Sequence, residues 1–238
     1  MARFIRAVVK KPLNILGLDI VRYHPRHSLG GYAYVSSLNI KTVIDVGAHT
    51  GEFAKMITRV LPGVAVICFE PLRGEFLRLG SQLRGIPGAQ AFNVALGDKG
   101  GTLEMYRSAR SQSSSLRPMA RLHKEAFPES AGGTRESVEV RRLDEMEEEL
   151  SLRPEILIKI DAQGYEDKVL AGAECVVAKA KAAIIEVSFR ELYEGQPLFD
   201  EVYATLKQKG YSYMGNLYQL LHPVERSVLQ ADALFVKV

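Results

Sequence analysis

The chain has 238 residues, 47% of them hydrophobic and 25% charged, enough apolar material for one well-buried core. A formal net charge of +3 is too mild for the concentrated basic face of a nucleic-acid binder. No run of about 18 or more apolar residues exists, so a membrane-spanning helix is not expected. The two cysteines, Cys68 and Cys175, lack metal-ligand spacing. Cys68 lies in the apolar run Val64 to Phe69, which predicts a buried thiol and a cytoplasmic, reducing compartment.

Residues 1–26 form an apolar, basic appendage to a main domain spanning 27–238. Phe4, Ile5, Val8 and Val9 recur at helical spacing between Arg3, Arg6, Lys10 and Lys11. The pattern suits a helix packed on the main domain or on a second copy in a homo-oligomer. Peripheral contact with the inner face of a membrane is the alternative. Lys10, Lys11 and Pro12 interrupt the apolar part and no small-residue cleavage site follows, so a cleaved signal is not expected.

From residue 41 strands and helices alternate. KTVIDVGAH predicts a strand entering a glycine turn, and GEFAKMITRVL a helix with Phe53, Met56, Ile57 and Val60 on one side. VAVICFEP, EFLRLGSQL and AQAFNVALGD continue as strand, helix and one further strand. Residues 107–137 carry little periodicity and several serines, and read as a lid-like loop. ESVEVRRLDEMEEEL predicts a short strand and a helix capped by Asp144, with Glu147 completing a capping-box-like pair. PEILIKIDAQGYE, EDKVLAGAECVVAKA, AAIIEVSF and FDEVYATLKQKG follow as strand, helix, strand and helix. YSYMGNLYQLL and ADALFVKV close the chain as an antiparallel pair. This rhythm predicts a Rossmann-like α/β domain, a mostly parallel sheet with helices on both faces.

Ligands of such sheets bind outside the carboxyl ends of the strands. There the sequence places Asp45-Val46-Gly47-Ala48-His49-Thr50-Gly51, Glu70-Pro71, Asn93-Val94-Ala95, Asp161-Ala162-Gln163-Gly164 and Glu186. Gly47, Ala48 and Gly51 let backbone approach a ligand closely. The pattern is GxxxG preceded by an acid, not the GxGxxG that receives a pyrophosphate. Asp45 therefore suits a cationic ligand such as S-adenosylmethionine. Glu70, 19 residues past Gly51, can accept hydrogen bonds from both ribose hydroxyls. Asn93 and Ala95 fall where an adenine ring would rest. The bland reading of Asp45 is a cap of the following helix or an ion pair with an arginine.

The series VIDVGAHTGEF, FEP, NVALGD, SSSL, RLDE, LIKIDAQGYEDKVLAGA and IIEVSF resembles the FkbM-type family of S-adenosylmethionine-dependent methyltransferases, from about Thr42 to Val238. The resemblance implies a seven-stranded sheet whose last strand is antiparallel, and O-methylation of a sugar, glycan or similar small natural-product hydroxyl. Where the family often has an acid before the strand-four glycine, this chain has Gln163.

Asp161 is the leading candidate for the base or acceptor-orienting group; the alternative is an ion pair with Lys159. Glu166 could orient a hydroxyl or serve as a helix-start acid. Glu186 could close the acceptor pocket, and His49 is a lesser candidate base. Ser114 and Ser115 could touch ligand or merely sit in a solvated loop. Tyr193 and Phe199 could stack on a sugar or form core. No metal is expected. The competing readings are a nitrogen acceptor, a non-catalytic adenosyl-ligand-binding subunit and an NAD enzyme. Asp161-Ala162-Gln163-Gly164 lacks the Asn/Asp-Pro-Pro-aromatic element that would favour nitrogen.

Overall fold

The structure is a computed structural model and describes residues 31–237. The segment 1–26, with the helix expected there, lies outside the described residues. A short helix α1 (Tyr32–Val35) leads into β1 (Thr42–Val46), α2 (Glu52–Val60), β2 (Ala65–Phe69), α3 (Arg73–Leu83) and β3 (Gln90–Phe92). Next come β4 (Ala95–Leu96), β5 (Gly101–Ser108), α4 (Arg121–Ala126), β6 (Gly133–Arg141) and α5 (Leu143–Met146). The rest is β7 (Ile156–Ile160), α6 (Glu166–Ala171), α7 (Glu174–Lys179), β8 (Ala182–Ser188), α8 (Phe199–Gln208), β9 (Tyr211–Leu221) and β10 (Val228–Lys237).

Seven strands form the main sheet in the order β3-β2-β1-β7-β8-β10-β9. All neighbours pair in parallel except β10, the last strand, which is antiparallel to both β8 and β9. Successive side chains of a strand face opposite ways. Thus Ile44, Val46, Ile158 and Ile160 join one buried cluster, with Val169 and Val176 of the helices on that face. Val43 and Leu157 join the other, with Ala54 and Ile57 of α2. The sheet is therefore covered on both faces, as the continuous apolar strands require. Asp45 and Lys159 are register partners in the centre of this sheet.

Several local expectations are corrected. AQAFNVALGD is two strands: β3 joins the main sheet, whereas β4 joins a second sheet of order β4-β6-β5. Asn93 sits at the break and its Nδ2 donates to the Glu70 and Pro71 carbonyls at 2.9 and 2.8 Å. The expected loop 107–137 contains a 3-10 turn at Ser111–Ser113, α4, and the start of β6, which pairs with β5 from Gly133 onward. Periodicity was weak there because these elements are short. EDKVLAGAECVVAKA is broken into α6 and α7 at Gly172, where an added Cβ would lie 1.9 Å from the Gly97 carbonyl oxygen. Asp144 does not cap its own helix. Its carboxylate accepts the backbone N–H groups of Cys175 and Val176 at 3.1 Å, capping α7, an element 30 residues away that no local pattern reveals.

Replacing Asp144 with Ala removes both N–H acceptors from the start of α7 and should cost about 0.5–2 kcal/mol. Thermal unfolding should show the midpoint lowered by roughly 2–4 °C per kcal/mol. Asp144→Asn, which keeps an acceptor oxygen, should fall by less.

Candidate active site

A cavity of about 360 Å³ opens outside the carboxyl ends of β1, β2, β7 and β8. That is the switch point where strand order reverses, and the volume lies in the range of small-molecule sites. Its walls divide by chemistry. Phe69, Leu72, Val94, Ala95, Leu96 and Leu116 make an apolar end. Asp161, Gln163, Glu186, Asp232 and Lys159 make a polar end, with Phe53 beside them. Gly47, Ala48, His49 and Glu70 lie on the same cavity. Met105 of β5 and Ser111, Gln112 and Ser114 of the following turn complete it, so the small sheet supplies part of the wall.

Gly47 makes the first turn possible. Its φ is +77°, and a Cβ there would stand 1.9 Å from the Asp161 carbonyl oxygen. The ends of β1 and β7 can therefore touch only through glycine. Gly51, at φ +90°, starts α2 and does not line the cavity.

Glu70 is 4% exposed. Its Oε2 accepts the His49 N–H and its Oε1 accepts the Leu72 N–H, each at 2.8 Å. Each oxygen retains a second lone pair. Burial pushes its carboxyl up to about 7, against the pull of those two N–H groups.

The polar end is organised by charge. Lys159 Nζ lies 3.2 Å from Asp161 Oδ2 and 3.6 Å from Asp45 Oδ1, over the Phe53 ring at 5.2 Å. Burial by itself disfavours its charged form, but Asp161, Asp45 and Asp232 outweigh burial and raise its pKa. Burial pushes Asp232 up to about 6, helped by Asp161. Burial, then Asp161 and Glu166, push Glu186 well above the usual carboxylate range. Gln163 Nε2 donates to Asp161 Oδ1 and to Glu186 Oε2, both at 2.8 Å. Gln230 Nε2 also donates to Glu186 Oε2, at 2.9 Å.

The structure brings together Gly47, Ala48, His49, Glu70, Ala95, Asp161 and Glu186 on the cavity. Four other candidates do not line it: Gly51, as described, Asp45, Asn93 and Glu166. Asp45 is fully buried behind the wall, where neither oxygen has a hydrogen bond among the described residues; burial pushes it up to about 6 against the pull of Lys159. Asn93 fixes the turn after β2, as described. Glu166 is also off the cavity: its Oε1 accepts the N–H groups of Ala162 and Gly164 at 2.9 and 3.1 Å, so it latches the strand-end turn. His49 Nε2 lies 2.8 Å from Ser111 Oγ, and burial lowers its pKa despite Glu75 at 3.7 Å. That contact ties the glycine turn to the Ser111–Ser113 turn.

Ser114 lines the cavity and accepts the Ser108 N–H, while Ser115 donates to the Gln163 carbonyl. Tyr193 is fully buried, and Phe199 stacks with Phe189 and Tyr203 away from the cavity, so both are core. Asp232 is the site residue that sequence reasoning missed; its signal was a lone acid inside the apolar ADALFVKV. Among the described residues, no group of three or more His, Cys, Asp or Glu side chains is arranged to hold a metal ion.

Sheet order, glycine turn and strand-end carboxylates define the class of adenosyl-dependent methyltransferases. The methyltransferase FkbM domain matches residues 45–213. The 2-O-methyltransferase NoeI of Sinorhizobium fredii (strain NBRC 101917 / NGR234) is 30% identical over 183 residues, 72% of this chain and 74% of that protein. The crystal structure of methyltransferase FkbM from Methylobacillus flagellatus KT superposes with a TM-score of 0.51 at 16% identity. That match covers 83% of this chain, which spans only 44% of the other. The chain belongs to the FkbM methyltransferase family and is an S-adenosylmethionine-dependent methyltransferase.

Glu166→Gln tests the latch. Burial raises the Glu166 carboxyl to about 7, above its unfolded value, so the folded state holds the proton more tightly and loses stability as pH rises through that interval. Gln keeps the acceptor oxygen and cannot ionise. The variant should match wild type near pH 5 and melt several degrees higher near pH 8 by thermal unfolding.

Proposed function

We propose that this protein transfers the methyl group of S-adenosylmethionine to a hydroxyl of a sugar, glycan or similar small natural-product acceptor. The observation that carries this reading is one cavity lined both by apolar side chains and by a cluster of carboxylates at the strand ends. The donor set fits the cofactor. Phe69, Leu72, Val94, Ala95 and Leu96 offer an adenine an apolar slot. The free lone pairs of Glu70 would accept hydrogen bonds from the ribose hydroxyls, and the Gly47-Ala48-His49 turn would hold the amino-acid end. When bound, S-adenosylmethionine supplies an electrophilic methyl carbon on a positively charged sulfur.

The chain's own residues then orient an acceptor and take its proton. The Asp161 carboxylate would accept a hydrogen bond from the acceptor hydroxyl and take up its proton. Lys159 balances its charge and Gln163 holds its second oxygen. Glu186 is placed to accept a hydrogen bond from a neighbouring hydroxyl, which suits a polyol. Alignment of this kind supplies up to roughly 7–11 kcal/mol in well-oriented intramolecular models. The similarity to NoeI, a 2-O-methyltransferase, supports oxygen as the accepting atom.

Isothermal titration with S-adenosylhomocysteine should give micromolar binding, about −8 kcal/mol, that is lost in Glu70→Ala. No binding by the folded wild type would overturn this reading. With an acceptor found by screening sugar hydroxyls, Asp161→Ala should lower turnover by about 10²–10⁴-fold while S-adenosylhomocysteine still binds. Unchanged turnover would remove Asp161 as the base.

A further inference from the structure

Gln163 has an unusual place in this wall. It is not a glycine, yet its φ is +52°, a conformation costly for a side-chain-bearing residue and concentrated at functional sites. Gly164 follows at φ +91°, and a Cβ there would stand 2.8 Å from the Tyr193 Cβ and 3.0 Å from its ring. The turn therefore pins the Gln163 backbone, and the side chain reaches Asp161 on its own turn and Glu186 on β8.

The hydrogen count is closed. Nε2 carries two hydrogens and donates to two different carboxyl oxygens, Asp161 Oδ1 and Glu186 Oε2, each 2.8 Å from the nitrogen. Oε1 carries none and is the nearer of two acceptors for the Tyr193 hydroxyl, at 2.6 Å against 3.1 Å for the Ser113 carbonyl. Burial holds that phenol protonated, so it remains a donor. The opposite amide orientation would set an oxygen against two carboxylates and waste the donor of Tyr193.

We propose that Gln163 is a positioning residue whose neutral carboxamide clamps Asp161 and Glu186 into a single acceptor-facing pair. Its functional sense rests on the methyl-transfer reading above. A carboxylate at this position would donate nothing and would set a third negative group within about hydrogen-bond distance of the other two. A neutral group with two donors holds one oxygen of each acid without adding a third negative charge.

The experiment is thermal unfolding of the full chain between pH 5.5 and 8.5, without cofactor or acceptor. Wild type is compared with Gln163→Glu and with the triple variant Asp161→Asn, Gln163→Glu, Glu186→Gln. The triple variant inverts every donor and acceptor: two amides donate to one central carboxylate. In Gln163→Glu a carboxyl must keep its proton in the folded state, so its folded pKa is raised and stability falls as pH rises. Its midpoint should drop relative to wild type by roughly 2–4 °C per pH unit. The triple variant should abolish that extra slope. A purely structural role for the side chain would give a pH-independent offset, and that result overturns the proposal. So does a triple variant as steep as Gln163→Glu, or one unfolded where wild type folds. If Gln163→Glu alone fails to fold at any pH, the triple variant decides by the same criterion. Lost S-adenosylhomocysteine binding in wild type would sink the functional reading but leave this result standing.

Discussion

The ammonium of Lys159 sits in the middle of a parallel sheet, opposite Asp45 in register and one alternate position from Asp161. Removing such a charge from water costs several kcal/mol unless it is surrounded by opposite charge. Here the surroundings are carboxylates that each belong to a different piece of the fold. Asp45 comes from β1, Asp161 from the end of β7, and Asp232 from β10. The charge is thus satisfied only when these strands are assembled in their observed order. Phe53 of α2 lies against the same ammonium, so that helix is tied to it as well.

This explains why the cavity holds its shape. The Gly47 turn lies so close to Asp161 that no side chain fits between them. Glu70 uses one lone pair of each oxygen to hold the backbone at His49 and Leu72. Glu166 gathers two further N–H groups of the Asp161–Gly164 turn. His49 and Gln163 both keep positive φ values at the cavity. Backbone strain of about 1–3 kcal/mol per such residue persists only where neighbours over-determine the conformation. The contacts just named do so at both turns.

Long-range order was legible because it is written in periodicity. The apolar runs of β1, β2, β7 and β8 and the helical face of α2 were strong signals, and polar groups at strand ends located the cavity. The mostly parallel sheet and the antiparallel closing pair were legible in that rhythm, whereas the count of seven strands came from the resemblance. What was not legible is which backbone group each acid finds. Asp144 and Glu147 carry the spacing of a local capping box, yet Asp144 caps α7 through a tertiary contact. Gly172 lies inside a continuous helical pattern, and only its approach to Gly97 breaks the helix. Asn93 stands at a strand end like the ligand residues but spends its amide on two carbonyls. Asp232 was hidden because an acid in a closing strand carries no spacing signature.

The acids around the cavity differ less in kind than in how many of their lone pairs are already taken. Glu166 has its working oxygen committed to two backbone N–H groups and stands off the cavity, so it can only shape the turn. Asp45 is enclosed and serves the field around Lys159. Glu70 is half committed, which leaves it able to receive two ligand hydroxyls while its position is fixed. Asp161 and Glu186 are held at their edges by amide and ammonium donors but still line the cavity. A carboxylate can receive a proton from an acceptor only if it is both held and incompletely used. By that criterion the fold separates structural acids from working ones, a distinction that residue type and spacing do not contain.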